Sequence, residues 1–185
     1  MYWFLVPMAI GFACNWASAF TGFLCERLGA VRGRRAGFAL RNILGIPVWA
    51  AGVALAFSRQ AGLLYVPGPG LTALSWLLLL LGTASMLLGI RGLGVRAYRP
   101  TTRDTLVSDG VFRHIRHPIY SGLLVDFAAL ALQRPTRPVL LACVLGWLFT
   151  HVQARLEEID LRRRVPGYGA YMEAVPRFLP RLWRS

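Results

Sequence analysis

Apolar residues run almost unbroken through positions 2–24, 43–57, 71–90, 118–132 and 139–152, and the polar residues gather between these runs. A helix needs roughly 20 apolar residues to cross the hydrocarbon core of a bilayer. Residues 2–24 and 71–90 reach that length unaided. Residues 43–57 reach it when 38–42 join them, with Arg41 snorkelling to the headgroups. The last two runs are short, and the six residues between them are tight enough for an antiparallel helix hairpin. The pattern predicts an all-α, polytopic membrane protein with about five transmembrane helices. Ala17-Ser18-Ala19 resembles a signal cleavage site. The run lacks a positive leader and is too long for a signal peptide, so it is read as the first span.

Hydrophobic residues make up 56% of the 185 positions and mean hydropathy is +0.50, above the level of soluble domains. The formal charge of +13 would fit nucleic-acid binding only if it sat on a water-soluble module, and the apolar runs leave room for none. Instead the charge follows the topology. All 21 basic residues are arginine, and 18 fall in the segments after the first, third and fifth runs. Only Arg59, Arg134 and Arg137 fall on the other side. This positive-inside asymmetry places the N-terminus outside and the C-terminus in the cytosol. The arginine-rich segments also suit anionic lipid headgroups. The absence of lysine marks an arginine-biased composition of bacterial type, hence a bacterial cytoplasmic membrane. Cys14, Cys25 and Cys143 have no paired spacing and read as small hydrophobes in packed helices.

Residues 1–91 read as scaffold, three spans joined by a glycine- and arginine-rich turn at 29–37 and an outer turn at 66–70. Residues 92–185 hold all three histidines and every carboxylate except Glu26, so chemistry is expected there. Two motifs are set aside. Gly92-Leu93-Gly94-Val95-Arg96-Ala97 has dinucleotide-binding spacing, but that spacing works at a strand-to-helix turn, and here it follows a membrane helix. His114, His117 and His151 lack a further ligand at diagnostic spacing, so no metal site is read.

Two clusters remain. In the first, Pro118 takes the first position of a helix, which puts His117 at its N-cap. Free backbone N–H groups there attract anions, and Arg116 adds a planar fork for a carboxylate or phosphate. Tyr120 offers a ring face for a cation. The same residues also fit a plain interfacial anchor at headgroup level. The second cluster is Arg155-Leu156-Glu157-Glu158-Ile159-Asp160, followed by Tyr168, Tyr171 and Val175-Pro176. Its carboxylates either pair with Arg162–Arg164 on a solvated helix face or turn one member into a pocket to take ligand hydroxyls or an ammonium group. Tyr168 and Tyr171, three apart, would close such a pocket from the water side. Asp126, inside the fourth run, is an intramembrane carboxylate and a functional candidate on that ground.

Taken together, Leu-Val-x-x-Gly-x-Phe-x-x-x-Arg-His-Pro-x-Tyr-x-Gly from Leu106, then Glu157-Glu158-x-x-Leu161, then Tyr168-x-x-Tyr171-x-x-x-Val175-Pro176 resemble the isoprenylcysteine carboxyl methyltransferase family. Phospholipid methyltransferases share much of this pattern. The resemblance implies an integral membrane enzyme that uses S-adenosyl-L-methionine without a Rossmann domain and methylates a lipophilic small molecule or lipid. Carried over by position, it implies cofactor contacts from Asp104, Thr105, Leu106, Val107, Phe112, His117, Pro118, Ile119, Tyr120 and Glu157. Arg116 and Glu158 are the catalytic candidates: Glu158 either takes a proton, where the acceptor is an amine or thiol, or orients the acceptor alongside Arg116 and Arg155. The family often carries an arginine where Gln153 stands, so Gln153 and Arg155 are the substrate-binding candidates, with prenylcysteine itself put in question. The residues 165–167 also depart from the family's pattern before the tyrosine pair. Two other classes remain open: a nicotinamide-dependent membrane reductase of sterol-reductase type, and a non-catalytic lipid-binding scaffold.

Overall fold

In a computed structural model that describes residues 2–97 and 105–181, the protein is mainly helical, and the described residues hold one isolated β-bridge, between Leu63 and Thr136. The first apolar run does not form one straight span. Helix α1 (Leu5–Ala19) breaks at Phe20, and α2 (Thr21–Leu28) leaves at 73° to it. Gly29, at φ +82, separates α2 from α3 (Ala30–Phe38). The glycine–arginine segment read as a turn is therefore helix α3. It runs on without a break through a π-helical turn, Ala39–Gly45, into α4 (Ile46–Ser58).

The π turn has a local cause. Pro47 donates no hydrogen bond, and its ring would crowd the carbonyl four residues earlier in a regular α-helix. Widening the preceding turn relieves this, and the Ile46 N–H bonds back five residues to the Arg41 carbonyl. Such turns often occur at functional positions.

Helices α5 (Pro69–Leu93), α6 (Pro118–Gln133) and α7 (Arg137–Arg164) each begin with proline in the first turn, where its missing N–H costs nothing. Helix α5 ends on Gly94, at φ +56, a conformation that suits glycine. Its buried positions are Ser75, Gly82 and Gly89, one small residue every two turns. That stripe meets α6 at close range: a Cβ on Gly122 would lie 2.2 Å from the Gly82 carbonyl oxygen, and one on Gly89 2.7 Å from Ile119. The Ser85 hydroxyl donates to the Pro118 carbonyl at 2.9 Å. In lipid there is no hydrophobic force between helices, and small residues that let backbones approach supply the packing instead.

The other core joins α1, α4 and α7 through Phe4, Met8, Phe12, Ala56, Ala142 and Phe149, with Phe12 and Phe149 stacked at 4.1 Å. Trp76, Leu80, Leu81, Leu87, Leu88 and Trp147 stay exposed. An outward apolar surface is what a lipid solvent requires.

Three continuous helices are long and apolar enough to cross a membrane, residues 30–58, 69–97 and 137–164, and the bent α1–α2 pair makes a fourth if counted as one span. The expectation of about five spans is corrected at two points. A window of apolar residues cannot register the bend at Phe20. The fourth run yields only the 16-residue α6, held between Pro118 and the loop at Arg134. The fifth run, by contrast, belongs to a full-length helix of 28 residues.

The α5–α6 contact sets a test. Gly122→Ala should destabilise the detergent-purified protein by about 1–3 kcal/mol, since the methyl meets backbone that cannot give way. Gly70→Ala, where an added Cβ meets nothing within 4 Å, should stay within roughly 0.5 kcal/mol. Thermal midpoints of the two variants decide it.

Candidate functional site

The segment before α6 and the end of α7 come together at one end of the bundle. Helix α6 opens as its sequence directs, with His117 at the N-cap and Pro118 at the first helical position. Just upstream, Phe112 sits in a short 3₁₀ turn with its ring against Gly92 of α5. From the other side, α7 carries Gln153, Glu157 and Glu158, and beyond it lie α8 (Tyr168–Ala174) and an extended tail.

Glu158, 3% exposed, accepts from three side chains. Arg116 donates to it through Nη2 at 2.9 Å and Nε at 3.2 Å. Arg177 donates through Nη2 at 2.5 Å and Nε at 3.0 Å. His117 Nε2 stands 3.1 Å from the same carboxylate. An ionised carboxylate only accepts, so Nε2 carries the ring proton. Arg116 also donates through Nη1 to the carbonyls of Met172, at 2.6 Å, and Val175. The backbone repeats the pairing, with the N–H groups of Arg116 and His117 donating to the carbonyls of Pro176 and Arg177 at 2.9 and 3.1 Å. Ser121 Oγ donates to the Phe178 carbonyl at 2.7 Å. Tyr171 donates to the Phe112 carbonyl at 2.6 Å; burial pushes its phenol up to about 12, so it stays a neutral donor. Hydrogen bonding to Glu158 likewise raises the Arg177 pKa above its ordinary value.

One residue earlier on the helix, Glu157 points elsewhere. Its Oε1 accepts from Tyr120 Oη at 2.6 Å, Gln153 Nε2 at 3.0 Å and Arg41 Nη2 at 3.2 Å. Its Oε2 takes no hydrogen bond among the described residues. The rings of His117 and Tyr120 stack at 5.4 Å.

Two cavities meet at this junction, of about 170 and 270 Å³. Both are bordered by Arg41, Arg96, Phe112, Arg116, His117 and Glu157. The smaller continues past Thr105, Leu106 and Val107 to Tyr168 and Tyr171. The larger reaches into the bundle along Pro118, Ile119, Tyr120 and Gln153 to an apolar wall that includes Ile46, Trp49, Leu123 and Phe149.

Most of the anticipated cofactor residues therefore border one or both of these neighbouring cavities: Thr105, Leu106, Val107, Phe112, His117, Pro118, Ile119, Tyr120 and Glu157. Asp104 lies outside the described residues. Of the remaining candidates, Gln153 is 2% exposed and borders the larger cavity, whereas Arg155 is exposed and borders neither. Glu158 also borders neither, standing behind the wall with Arg116 and Arg177. Among the described residues, Asp160 pairs with the basic run in the last turn of α7, through Arg164 at 2.5 Å. The dinucleotide-like glycines close a membrane helix, as their position implied.

Two contributors were not anticipated. Arg177 follows the Val-Pro pair directly, and an arginine beside a motif is the signal that pointed to it. Arg41 had been read as a snorkelling anchor in a scaffold half. Instead the first half reaches the site, since Ala19 and Thr21 also border the smaller cavity. Asp126 lies against Gly82, away from both cavities, with a buried Oδ1 that has no hydrogen bond among the described residues.

Compared with known proteins, residues 65–164, just over half of the chain, match the family model described as phospholipid methyltransferase. No curated protein and no solved structure matches the chain.

The Glu158 cluster is directly testable. Glu158→Gln leaves two arginines with a buried neutral partner, and breaking a buried pair from one side costs about 3–5 kcal/mol. The thermal midpoint should fall well below that of Arg155→Gln, whose parent side chain is exposed. Equal midpoints would remove Glu158 as the anchor of this region.

Proposed function

We propose, since the chain belongs to the phospholipid methyltransferase family, that it transfers a methyl group from S-adenosylmethionine to a lipophilic acceptor at the cytosolic face of a bacterial membrane. The observation that carries this reading is the junction at Glu157. Tyr120 and Glu157, far apart in sequence, are hydrogen-bonded at 2.6 Å and share a cavity with a polar arm and an apolar arm.

The residues fit the proposed donor. Among the described residues, Glu157 keeps one carboxylate oxygen without a hydrogen-bond partner, which suits ribose hydroxyls. The start of α6 presents backbone N–H groups that have no intrahelical acceptor, which suits a carboxylate. The stacked His117 and Tyr120 rings offer aromatic faces to a sulfonium. Phe112 and the segment Thr105–Leu106–Val107 supply surface for a flat base, and Asp104 joins that set in our assignment. Bound there, S-adenosylmethionine would supply an electrophilic methyl group to the acceptor.

The protein's own task is alignment and exclusion of water, which account for much of the rate in such displacements. Tyr120 and Gln153 hold Glu157 in place. The apolar arm seats the acceptor's hydrocarbon part, with Gln153 beside its polar end. Tyr168 and Tyr171 close the polar arm. Arg116 and Glu158 act as positioning residues, since both are saturated by the contacts that pin the tail to α6. The arginine-rich segments that follow the first, third and fifth apolar runs support a cytosolic position for this end of the bundle, where the cofactor is available.

Calorimetry with S-adenosylhomocysteine in detergent tests the proposal. The wild type should bind. Glu157→Gln removes the charge from a hydrogen-bonding acceptor, worth about 1.5–3 kcal/mol, so affinity should drop roughly tenfold to a hundredfold. A wild type that binds no S-adenosylhomocysteine overturns the reading.

A further inference from the structure

We infer that His117 is the base of the reaction, taking a proton from the methyl acceptor through Nδ1 while Glu158 holds the other side of its ring. This rests on the methyl-transfer reading and adds the step that reading leaves open, the fate of the acceptor's proton.

Methylation of a nitrogen, sulfur or oxygen that carries hydrogen releases a proton, and a positioned base that takes it lowers the barrier. Such a base has to stand where the two cavities meet. Three arginines, Leu93, Phe112, His117 and Glu157 border both cavities. Guanidinium groups only donate, and the two apolar side chains hold no titratable atom. The choice falls between His117 and Glu157.

Glu157 is already committed. Its Oε1 accepts from Tyr120 Oη, Gln153 Nε2 and Arg41 Nη2, so a proton arriving there would displace three donors. Its other oxygen is the one assigned to ribose hydroxyls.

His117 has no such commitment on the side away from Glu158. Nε2 donates to Glu158 Oε1 at 3.1 Å, which leaves the lone pair of the neutral ring on Nδ1. Nδ1 takes no hydrogen bond among the described residues. Glu158 borders neither cavity, so its part is support rather than contact. A carboxylate behind a histidine fixes the tautomer and steadies the imidazolium that forms. Arg116 and Arg177 pin that carboxylate in place. Gln153 also borders the larger cavity, with a buried Oε1 that takes no hydrogen bond among the described residues. A group that arrives with N–H or O–H suits both lone pairs.

The step balances. The acceptor's lone pair forms a bond to the methyl carbon, and the sulfur–carbon bond breaks with its electron pair left on sulfur. The acceptor's proton passes to Nδ1. The positive charge thus moves from sulfur to the ring, whose Nε2–H faces Glu158. The ring then gives the proton to water in the smaller cavity.

The full chain in neutral maltoside detergent gives independent readouts. Nitrogen NMR of the histidine-labelled protein without ligand should show His117 protonated at Nε2 and bare at Nδ1. His117→Gln keeps an amide N–H for Glu158 and removes the Nδ1 lone pair. Its thermal midpoint should stay near that of the wild type, and its S-adenosylhomocysteine affinity within about threefold. Methylation of decylamine, the probe acceptor, should fall about a hundredfold to ten-thousandfold. Imidazole added to the medium should restore part of the turnover of His117→Ala.

A proton on Nδ1 in the unliganded protein overturns the assignment, and this outcome needs no variant to fold. So does decylamine turnover by His117→Gln within about threefold of the wild type. Methylation of decanoate in place of decylamine overturns it as well, because a carboxylate gives up no proton. Equal losses of S-adenosylhomocysteine affinity and turnover in His117→Gln would make His117 a cofactor contact instead. A wild type that binds no S-adenosylhomocysteine sinks the methyl-transfer reading itself, whereas normal binding with normal His117→Gln turnover sinks the base alone.

Discussion

A single buried carboxylate, Glu158, holds the functional end of this protein together. It draws Arg116, His117 and Arg177 from two separate segments onto the last membrane helix, and Arg116 in turn ties down the carbonyls that follow α8. Without that anion, two guanidinium groups would face each other in a place with little water. With it, the charges fix the start of α6, and the backbone pairing between 116–117 and 176–177 follows. Adjacent residues on an α-helix point about 100° apart. Glu157 is thereby turned away from this cluster and toward Tyr120 and Arg41. Two neighbouring glutamates thus divide the labour, one keeping the architecture and the other facing the space where ligands fit.

Close helix packing completes the arrangement. Glycines and serines along α5 let α6 approach until backbone meets backbone, which sets the height of His117 and Tyr120 in the bundle. On the opposite side, a Cβ on Gly11 would lie 2.4 Å from the Trp49 backbone nitrogen, so α1 and α4 are equally close. That contact seats the helix carrying Arg41 against the core formed by Phe12 and Phe149. The polar and apolar arms of the cavity are the gap left between these two tightly packed pairs. Such a space, with one arm lined by several charged side chains and the other walled by aromatic and aliphatic ones, suits the proposed pairing of a charged nucleoside with a membrane-dissolved acceptor.

Much of this was legible from the linear chain. The segment from Leu106 to Gly122 and the pair Tyr168 and Tyr171 announce themselves because their roles depend on near neighbours: a proline opening a helix, a histidine capping it, two rings on one face. The helical, apolar character was equally plain, since it follows from composition and run length. The division between Glu157 and Glu158 was not legible, because it depends on which face of α7 meets which loop. The number of continuous spans was not legible either, since hydropathy averages over the bend at Phe20.

Local chemistry along the chain thus settled the kind of protein, its helices and the motif that carries the family likeness, because each of these is written in residues a few positions apart. Folding alone assigned Arg41 its place beside Glu157, across 116 residues, and moved Glu158 behind the wall. Those outcomes depend on how helix axes cross and rotate, and that geometry is set by the packing of small residues from distant segments rather than by any one stretch of sequence.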